Sequence, residues 1–241
     1  MINIDKFRTF VYLVANKNGR GTLTPSQFDS ATERALYVYT NNQVSNQKQY
    51  QPDRPVSQTS LDLDQASIDR LRHLKEIRTI RVIGGEMPIP DGVNVDVNSE
   101  VMPEYWTHSR LSHKFQSHGN IVTQPIEVVN DNQWAVKLGS SIVAPTKKRA
   151  IANYQSNKVL IEPSSLINLV TLAYIRIPNT PKWAYTLTNN RPVYDSANSV
   201  DIDAPKSAFN EIAMIALEFI GIRIREPELV QAAAGLENKG V

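Results

Sequence analysis

Three of the four histidines recur at intervals of five residues, and imidazole groups brought together could bind a metal ion. They are His108, His113 and His118. On an extended strand the first and third share one face and the second points away, and on a helix none lies three or four residues from another. The spacing favours exposed strand or loop histidines over a metal site. His73 is predicted to lie on the surface of a helix.

Two Asp-x-Asp patterns, Asp62-Leu63-Asp64 and Asp201-Ile202-Asp203, could hold a divalent cation if a third carboxylate converged on them. Each pattern also precedes a predicted helix, where aspartate caps the free amides of the first turn, and capping is the favoured interpretation. The chain contains no cysteine, no glycine-rich phosphate loop, no nucleophile elbow and no His-Glu-x-x-His zinc motif. We therefore predict no catalytic residue, no cofactor, no metal site and no enzymatic activity.

The strongest basic cluster of the sequence lies at residues 147–149, and two further basic residues follow it within the net positive stretch 132–191. The five residues are Lys147, Lys148, Arg149, Arg176 and Lys182. Such a cluster can bind phosphates without reading sequence, because binding releases counterions. Interleaved aromatic residues, as in single-strand binders, are Tyr154, Tyr174, Trp183 and Tyr185. A basic surface that faces solvent or another protein is the favoured interpretation, and non-specific nucleic-acid binding is the alternative.

The composition describes a nearly neutral chain of 241 residues, with 26 Lys and Arg against 24 Asp and Glu and with 41% apolar residues. That is enough to build one large domain or two small ones. No run of apolar residues is long enough to span a membrane, and the first residues lack the pattern of a signal peptide. We expect a soluble protein.

Helical periodicity marks both ends of the chain. Ile4, Phe7 and Val11 open a short amphipathic helix, and Thr24-Pro25-Ser26-Gln27 carries the capping signals of a helix that runs from Pro25 to between residues 43 and 49. A short helix is predicted for residues 67–74. Near the other end, Asp201 or Asp203 is predicted to cap a helix with a broad apolar face, and a final helix is predicted for residues 227–234.

A period of two replaces the helical period beyond residue 75. The predicted strands are Ile77–Ile83, Val101–His108, Ile121–Val129, Ala150–Tyr154, Lys158–Ile161 and Leu169–Ile177. Asn157 suits a hairpin turn, and Asn130 or Asp131 suits the cap of a short helix through Trp134 to Leu138. Hairpins indicate an antiparallel sheet.

These elements predict an α+β fold in which a helical part, made of N- and C-terminal helices, is interrupted by an inserted, mainly antiparallel β domain. The helical part is assigned residues 1–56 and 201–241, and the β domain residues 75–180. Residues 181–200 are predicted to form an extended loop that a partner orders, because structureless loops of this length are seldom idle.

Charge is distributed unevenly along the β domain. Residues 86–131 hold 2 basic and 7 acidic side chains, whereas residues 132–191 hold 8 basic and 1 acidic side chain. Opposite charges on consecutive parts of the chain suit a subunit that contacts its neighbour head to tail. One face of each subunit then meets a different face of the next subunit, around a closed ring. The alternative is chance segregation of surface charge. The subunit-interface candidates are Lys147, Lys148, Arg149, Arg176 and Lys182 on the basic side, and Asp91, Asp96, Glu100 and Glu104 on the acidic side.

Five stretches, taken in this order, resemble virion structural proteins of crAss-like and related tailed phages. They are Tyr50–Val56, Pro125–Trp134, Ser141–Thr146, Ile175–Pro181 and Gly221–Gln231. The resemblance implies a component of the head-to-tail connector or neck ring, in about a dozen copies beneath the portal. Helices from both chain ends around a β insertion are also the layout of podovirus tail adaptors, an analogy of architecture alone.

The implied partners are copies of the chain itself, the portal protein, other tail or neck proteins and, in passing, DNA. The implied location is the virion, with assembly in the host cytoplasm and no membrane contact. The alternatives are another capsid- or tail-associated assembly protein, or a non-specific nucleic-acid-binding module.

Overall fold

The computed structural model describes residues 1–17, 23–46, 67–117, 119–189 and 191–221. The chain divides into two compact units. Unit 1 combines Met1–His73 with Pro178–Val241, and unit 2 is Leu74–Ile177. The fold is α+β, with helices from both parts of the chain in unit 1 and mainly antiparallel sheets in the inserted unit 2, as the sequence predicted.

The helices and strands of the described residues have the following bounds. The helices are α1 (Ile4–Lys17), α2 (Pro25–Asn46), α3 (67–71), α4 (Asp131–Gly139) and α5 (Phe209–Phe219), with 3₁₀ turns at Arg72–Leu74 and Lys206–Ala208. The strands are β1 (Lys75–Arg81), β2 (Glu86–Pro88), β3 (Tyr105–Ser117), β4 (Asn120–Pro125), β5 (Glu127–Val128), β6 (Ile151–Tyr154), β7 (Lys158–Glu162), β8 (Leu169–Arg176), β9 (Tyr185–Thr188) and β10 (Arg191–Tyr194).

The start of α2 follows the predicted capping pattern. The Gln27 amide donates to Thr24 Oγ1 at 3.3 Å, and the Thr24 amide donates to Gln27 Oε1 at 3.1 Å. Two free donors at the start of the helix are thereby satisfied reciprocally. The described part of α2 reaches Asn46, and the predicted end of the helix lies outside the described residues.

The predicted cap of the last helix is wrong. Asp201 instead accepts the Ile4 amide at 3.1 Å, at the start of α1, while α5 begins after the 3₁₀ turn with no side-chain cap. The reason is non-local, because an antiparallel bridge between Ile2 and Ile202 brings Asp201 to α1. The carbonyl of Asp203 lies 2.8 Å from His73 Nε2, and His73 is exposed on the 3₁₀ turn.

Trp183 lies in the core of unit 1, where α1, α2 and α5 bring their apolar faces together. Its side chain is buried, its Nε1 donates to Asp5 Oδ1 at 3.0 Å, and the Arg8 guanidinium lies 3.6 Å from its ring centroid. A buried indole with a partner for its N–H is a structural element. Trp183 is therefore unavailable for stacking on bases.

A β-hairpin occupies the segment 181–200, in place of the extended loop expected there. Strands β9 and β10 pair only with each other, and an antiparallel bridge between Lys182 and Val200 closes their base. Tyr185 and Tyr194 stack on Trp183, with ring centroids 5.5 and 6.1 Å away. The local structure therefore forms within one chain, and ordering by a partner stays a prediction.

Unit 2 is built from two four-stranded sheets, with strand orders β1-β8-β3-β4 and β2-β7-β6-β5. All pairs are antiparallel except β5 with β6. One core holds side chains of both sheets, such as Leu172 and Tyr174 from the first and Met87 and Val159 from the second, so the sheets pack face to face.

The edges of the two sheets coincide in pairs. β1 and β2 are joined by a turn at Gly84 and Gly85, whose φ angles of 61° and 83° favour glycine, and β4 and β5 are joined through Ile126. Since β1 and β4 end one sheet and β2 and β5 end the other, unit 2 has a β1/β2 edge and an opposite β4/β5 edge.

Several local predictions for unit 2 are confirmed. Asn130 caps α4 by accepting the Gln133 amide at 2.9 Å, and Asn157 lies in the turn between β6 and β7. The strand predicted at Val101–His108 begins instead at Tyr105 and continues to Ser117. His118, Asp62-Leu63-Asp64, the segment Tyr50–Val56 and the predicted helix at 227–234 lie outside the described residues.

Candidate functional site

The loop from Ile89 to Glu104, which joins β2 to β3 at the β1/β2 edge, exposes four valine side chains. Val93, Val95 and Val97 are exposed, Val93 by 77%, whereas Asp96 between them is buried. Val101 is exposed by 57%. Alternation normally places aliphatic groups inside and carboxylates outside, so the pattern is inverted here. We call residues 89–104 the valine loop.

Polar groups in the interior of the valine loop hold this inverted arrangement. Asp96 Oδ1 accepts the amides of Asn98 and Glu100 at 2.8 and 3.1 Å, and its Oδ2 lies 3.4 Å from Arg78 Nη1. Burial alone would raise the pKa of Asp96, but these two amides and the guanidinium outweigh it, and the pKa is held below its usual range. The ionised Asp96 side chain thus holds the backbone of the loop together from the inside.

The backbone of the valine loop is also paired. Met102 donates to the Asn94 carbonyl at 2.9 Å, Gly92 donates to the Met102 carbonyl at 3.1 Å, and the Val97 amide donates to the Thr79 carbonyl of β1 at 3.1 Å. The Met102 side chain is fully buried in the core of unit 2. A long loop held by its own hydrogen bonds and by a buried anchor presents its surface in a fixed form.

The acidic interface candidates therefore divide into two groups. Asp96 and Glu100 both contact Arg78 within the subunit, and their place in a subunit interface stays a prediction. Asp91 lies exposed and accepts the amides of Val93 and Asn94 at 2.9 and 2.7 Å, and Glu104 is exposed. The valine loop has four carboxylates and no basic residue, and its outer surface combines the four exposed valines with exposed carboxylates.

An open depression of about 670 Å³ lies beside the valine loop. Ile83, Val95 and Val97 contribute to its wall, and Glu86 and Lys158, also in the wall, form an ion pair. The wall is mixed, because Arg81 and Asp96 also line it beside the apolar side chains. The depression extends the aliphatic surface of the loop and suits a docked side chain.

The opposite β4/β5 edge also exposes apolar side chains. None of the residues of α4 is buried, and Val136 is exposed by 67%. The chain that follows exposes Ile142 by 83% and also exposes Val143. Lys137 pairs with Glu127. We call residues 136–149, which contain no acidic residue, the basic segment.

A tight turn ends the basic segment and displays its charges. Thr146 and Arg149 bridge each other, with the Arg149 amide donating to the Thr146 carbonyl at 2.9 Å. Lys147, Lys148 and Arg149 are exposed and have no ion pair with any described residue. These three interface candidates are available to a partner.

His113 anchors that turn from inside the protein. It is buried on β3, and its Nε2 lies 2.8 Å from the Lys147 carbonyl, so the ring donates from Nε2. Burial lowers the pKa of His113, because the charged ring is disfavoured away from water. The expectation of an exposed histidine is wrong here, because the acceptor lies 34 residues away along the chain. His108 is exposed, as expected.

The remaining basic and aromatic candidates have structural contacts. Arg176 is mostly buried and lies 3.9 Å from Glu76, whereas Lys182 is exposed in unit 1. Tyr174 is buried in the core, where burial raises its pKa to about 12, and its hydroxyl donates to the Pro103 carbonyl at 2.8 Å. Tyr154 is half-buried and stacks on Tyr105. Of the four interleaved aromatic residues only Tyr185 is exposed, so they form no base-stacking platform.

In the described part of the chain, no three His, Asp or Glu side chains are grouped so that they could hold a metal ion. None of its helices combines the length and the apolar character needed to cross a bilayer.

Comparison with known protein families finds no match to this chain, and no curated protein matches it. The candidate functional surface is therefore defined by geometry. It consists of two opposite edges of unit 2, one aliphatic with an acidic rim and one aliphatic with a free basic turn.

Proposed function

We propose that this protein is a structural ring-forming component of the head-to-tail connector of a tailed phage, where it joins the portal to the tail and surrounds the DNA channel. The resemblance of the five stretches to virion proteins of crAss-like and related phages suggests the particle. The α+β layout, with helices of both chain parts around a β insertion, agrees with it by analogy.

The observation that carries the proposal is the pair of exposed edges on unit 2. A protein that works alone rarely exposes several aliphatic side chains on a loop that at the same time buries a carboxylate. Displaying different surfaces at opposite edges suits head-to-tail contacts, which close into rings when the rotation between subunits permits. Shape and contacts would then be the activity, with copies of the chain, the portal and other neck or tail proteins as partners.

The test is the size of the purified full chain, alone and mixed with the portal protein, by native mass spectrometry and negative-stain electron microscopy. A closed ring that binds the portal is the expected result. A chain that stays monomeric in both conditions would refute the proposal. A ring that binds a capsid or tail protein and not the portal would favour the alternative of another assembly protein of the same particle.

The free charges of Lys147, Lys148 and Arg149 favour a second candidate function, non-specific nucleic-acid binding. Binding through phosphates alone would weaken steeply as salt rises. An electrophoretic shift of DNA by the monomer at physiological salt, lost in the Lys147→Glu, Lys148→Glu, Arg149→Glu variant, would support this candidate.

A further inference from the structure

The two edges of unit 2 differ in charge while sharing an aliphatic character. The valine loop contributes Asp91 and Glu104 at its surface. Its Asp96 and Glu100, together with Glu76 of β1, form a cluster of three carboxylates that contacts only two arginines in the described structure, Arg78 and Arg176. The basic segment contributes three cations with no ion pair in the described structure. Neither surface can pair well with itself, because like charges would meet.

We propose that the valine loop of one copy docks on the basic segment of a second copy, so that this contact links neighbouring subunits of the ring. The inference rests on the proposed function and names the contact that builds it. Val93, Val95 and Val101 supply the apolar surface on one side, and Val136 and Ile142 supply it on the other. Lys147, Lys148 and Arg149 face the acidic rim.

Each side of this contact is preorganised, which lowers the entropy lost on binding. The valine loop is fixed by Asp96, Arg78 and the buried Met102. The basic turn is fixed by its own backbone bridge and by His113. Burial of the aliphatic groups provides affinity, and the unlike charges select the heterologous pairing over either self-pairing.

The position of the two surfaces determines what the contact produces. The valine loop lies beside β1, where the Val97 amide bonds to Thr79, whereas the basic turn contacts β3 through His113, so a subunit that has used its valine loop keeps its basic segment free for the next copy. Such a contact propagates from copy to copy until it closes, whereas a two-fold contact would stop at a dimer.

Because the chain has no cysteine, single cysteines can report the contact. Full-length Val101→Cys and Ile142→Cys are treated with a short bismaleimide, separately, as an equal mixture and as the double variant. We expect little cross-linking in either single variant, a cross-linked dimer in the mixture, and a ladder of multimers in the double variant. The matched control is Leu13→Cys on α1, which is exposed by 58% and lies on neither edge.

The outcomes separate failure of the contact from failure of the function. A mixture that cross-links no more than the Leu13→Cys control, or single variants that cross-link to themselves as strongly as the mixture, would overturn the docking even if the wild type forms rings. A wild type that forms no ring while the mixture still cross-links would refute the connector and keep the contact.

A second measurement tests the contribution of charge to the contact. Lys147→Glu, Lys148→Glu, Arg149→Glu in the double-cysteine background is expected to shorten the ladder by at least tenfold in its multimer fraction, and high salt is expected to shorten it in the unreversed background. A ladder unaffected by both changes would overturn the assigned role of the basic turn. Circular dichroism of the reversed variant checks that it is folded.

Discussion

The valine loop and the basic segment use their charged residues in opposite ways. In the valine loop, Asp96 accepts two backbone amides and contacts Arg78, so its charge builds the loop while valines form the surface. In the basic segment the backbone and His113 build the turn, and the charges of Lys147, Lys148 and Arg149 stay free. Charged residues can therefore hold the backbone together in one place and stay exposed in another.

The largest expected effect is the difference in stability between a substitution at a buried residue of the valine loop and one at an exposed residue. Met102→Ala should lower the free energy of unfolding by about 2–5 kcal/mol, because it removes a fully buried anchor. The neighbouring Val101→Ala should change it by less than about 0.5 kcal/mol, because Val101 is exposed. Urea denaturation followed by circular dichroism measures both. Equal losses would mean that the loop is not built as described.

The next effect concerns the anchor of the basic turn. The pKa of His113 is lowered by burial, so the stability that the neutral ring contributes is full above the unfolded pKa of about 6.5 and is lost as pH falls toward the folded value. Stability curves should steepen below that pH in the wild type and flatten in His113→Gln. A His113→Gln curve that follows the wild type through this pH range would contradict the role of the buried ring.

A smaller effect concerns Asp96, which holds the valine loop from the inside. Because the pKa of Asp96 is lowered, its contribution to stability is present above the unfolded pKa of about 4 and is lost as pH falls through the folded value. Asp96→Asn keeps an acceptor oxygen but no charge, so it should be less stable than the wild type at neutral pH and should lose part of the acid dependence. Glu104→Gln, at the end of the same loop, serves as the control. Identical pH dependence of the stability in the two variants would contradict the role of Asp96 inside the loop.

The smallest effect on unfolding is expected at the free charges. Lys147→Glu, Lys148→Glu, Arg149→Glu should change the free energy of unfolding of the isolated subunit by less than about 0.5 kcal/mol per site, because the three side chains are exposed. The same change should weaken ring formation in native mass spectrometry. Unchanged assembly would remove the basic turn from the subunit interface and end the contrast between the two edges.

Local signals were sufficient for much of the fold. The capping box at Thr24, the cap at Asn130 and the turn at Asn157 act over a few residues, and each occurs as predicted. The division into end helices and an inserted β region follows from the change of hydrophobic period, which is also a local property.

Contacts between distant residues were not predictable in the same way. Asp201 caps α1, 197 residues away, and His113 is buried because Lys147 supplies an acceptor. The alternation of Val93, Asn94, Val95, Asp96 and Val97 was visible, but a period of two does not say which face is inside. The hairpin of β9 and β10 also had a signal, since aromatic and β-branched residues flank Asn189.

The bridge between Ile2 and Ile202 bears on how the chain folds as it leaves the ribosome. Unit 2 is one continuous stretch and can fold once β8 has emerged, whereas α1 and α2 were synthesised first and must wait for α5, their partner from the last part of unit 1. For that interval the parts of their apolar faces that α5 covers are exposed. Nascent chains stalled before Phe209 should therefore recruit chaperones more strongly than chains that have released α5.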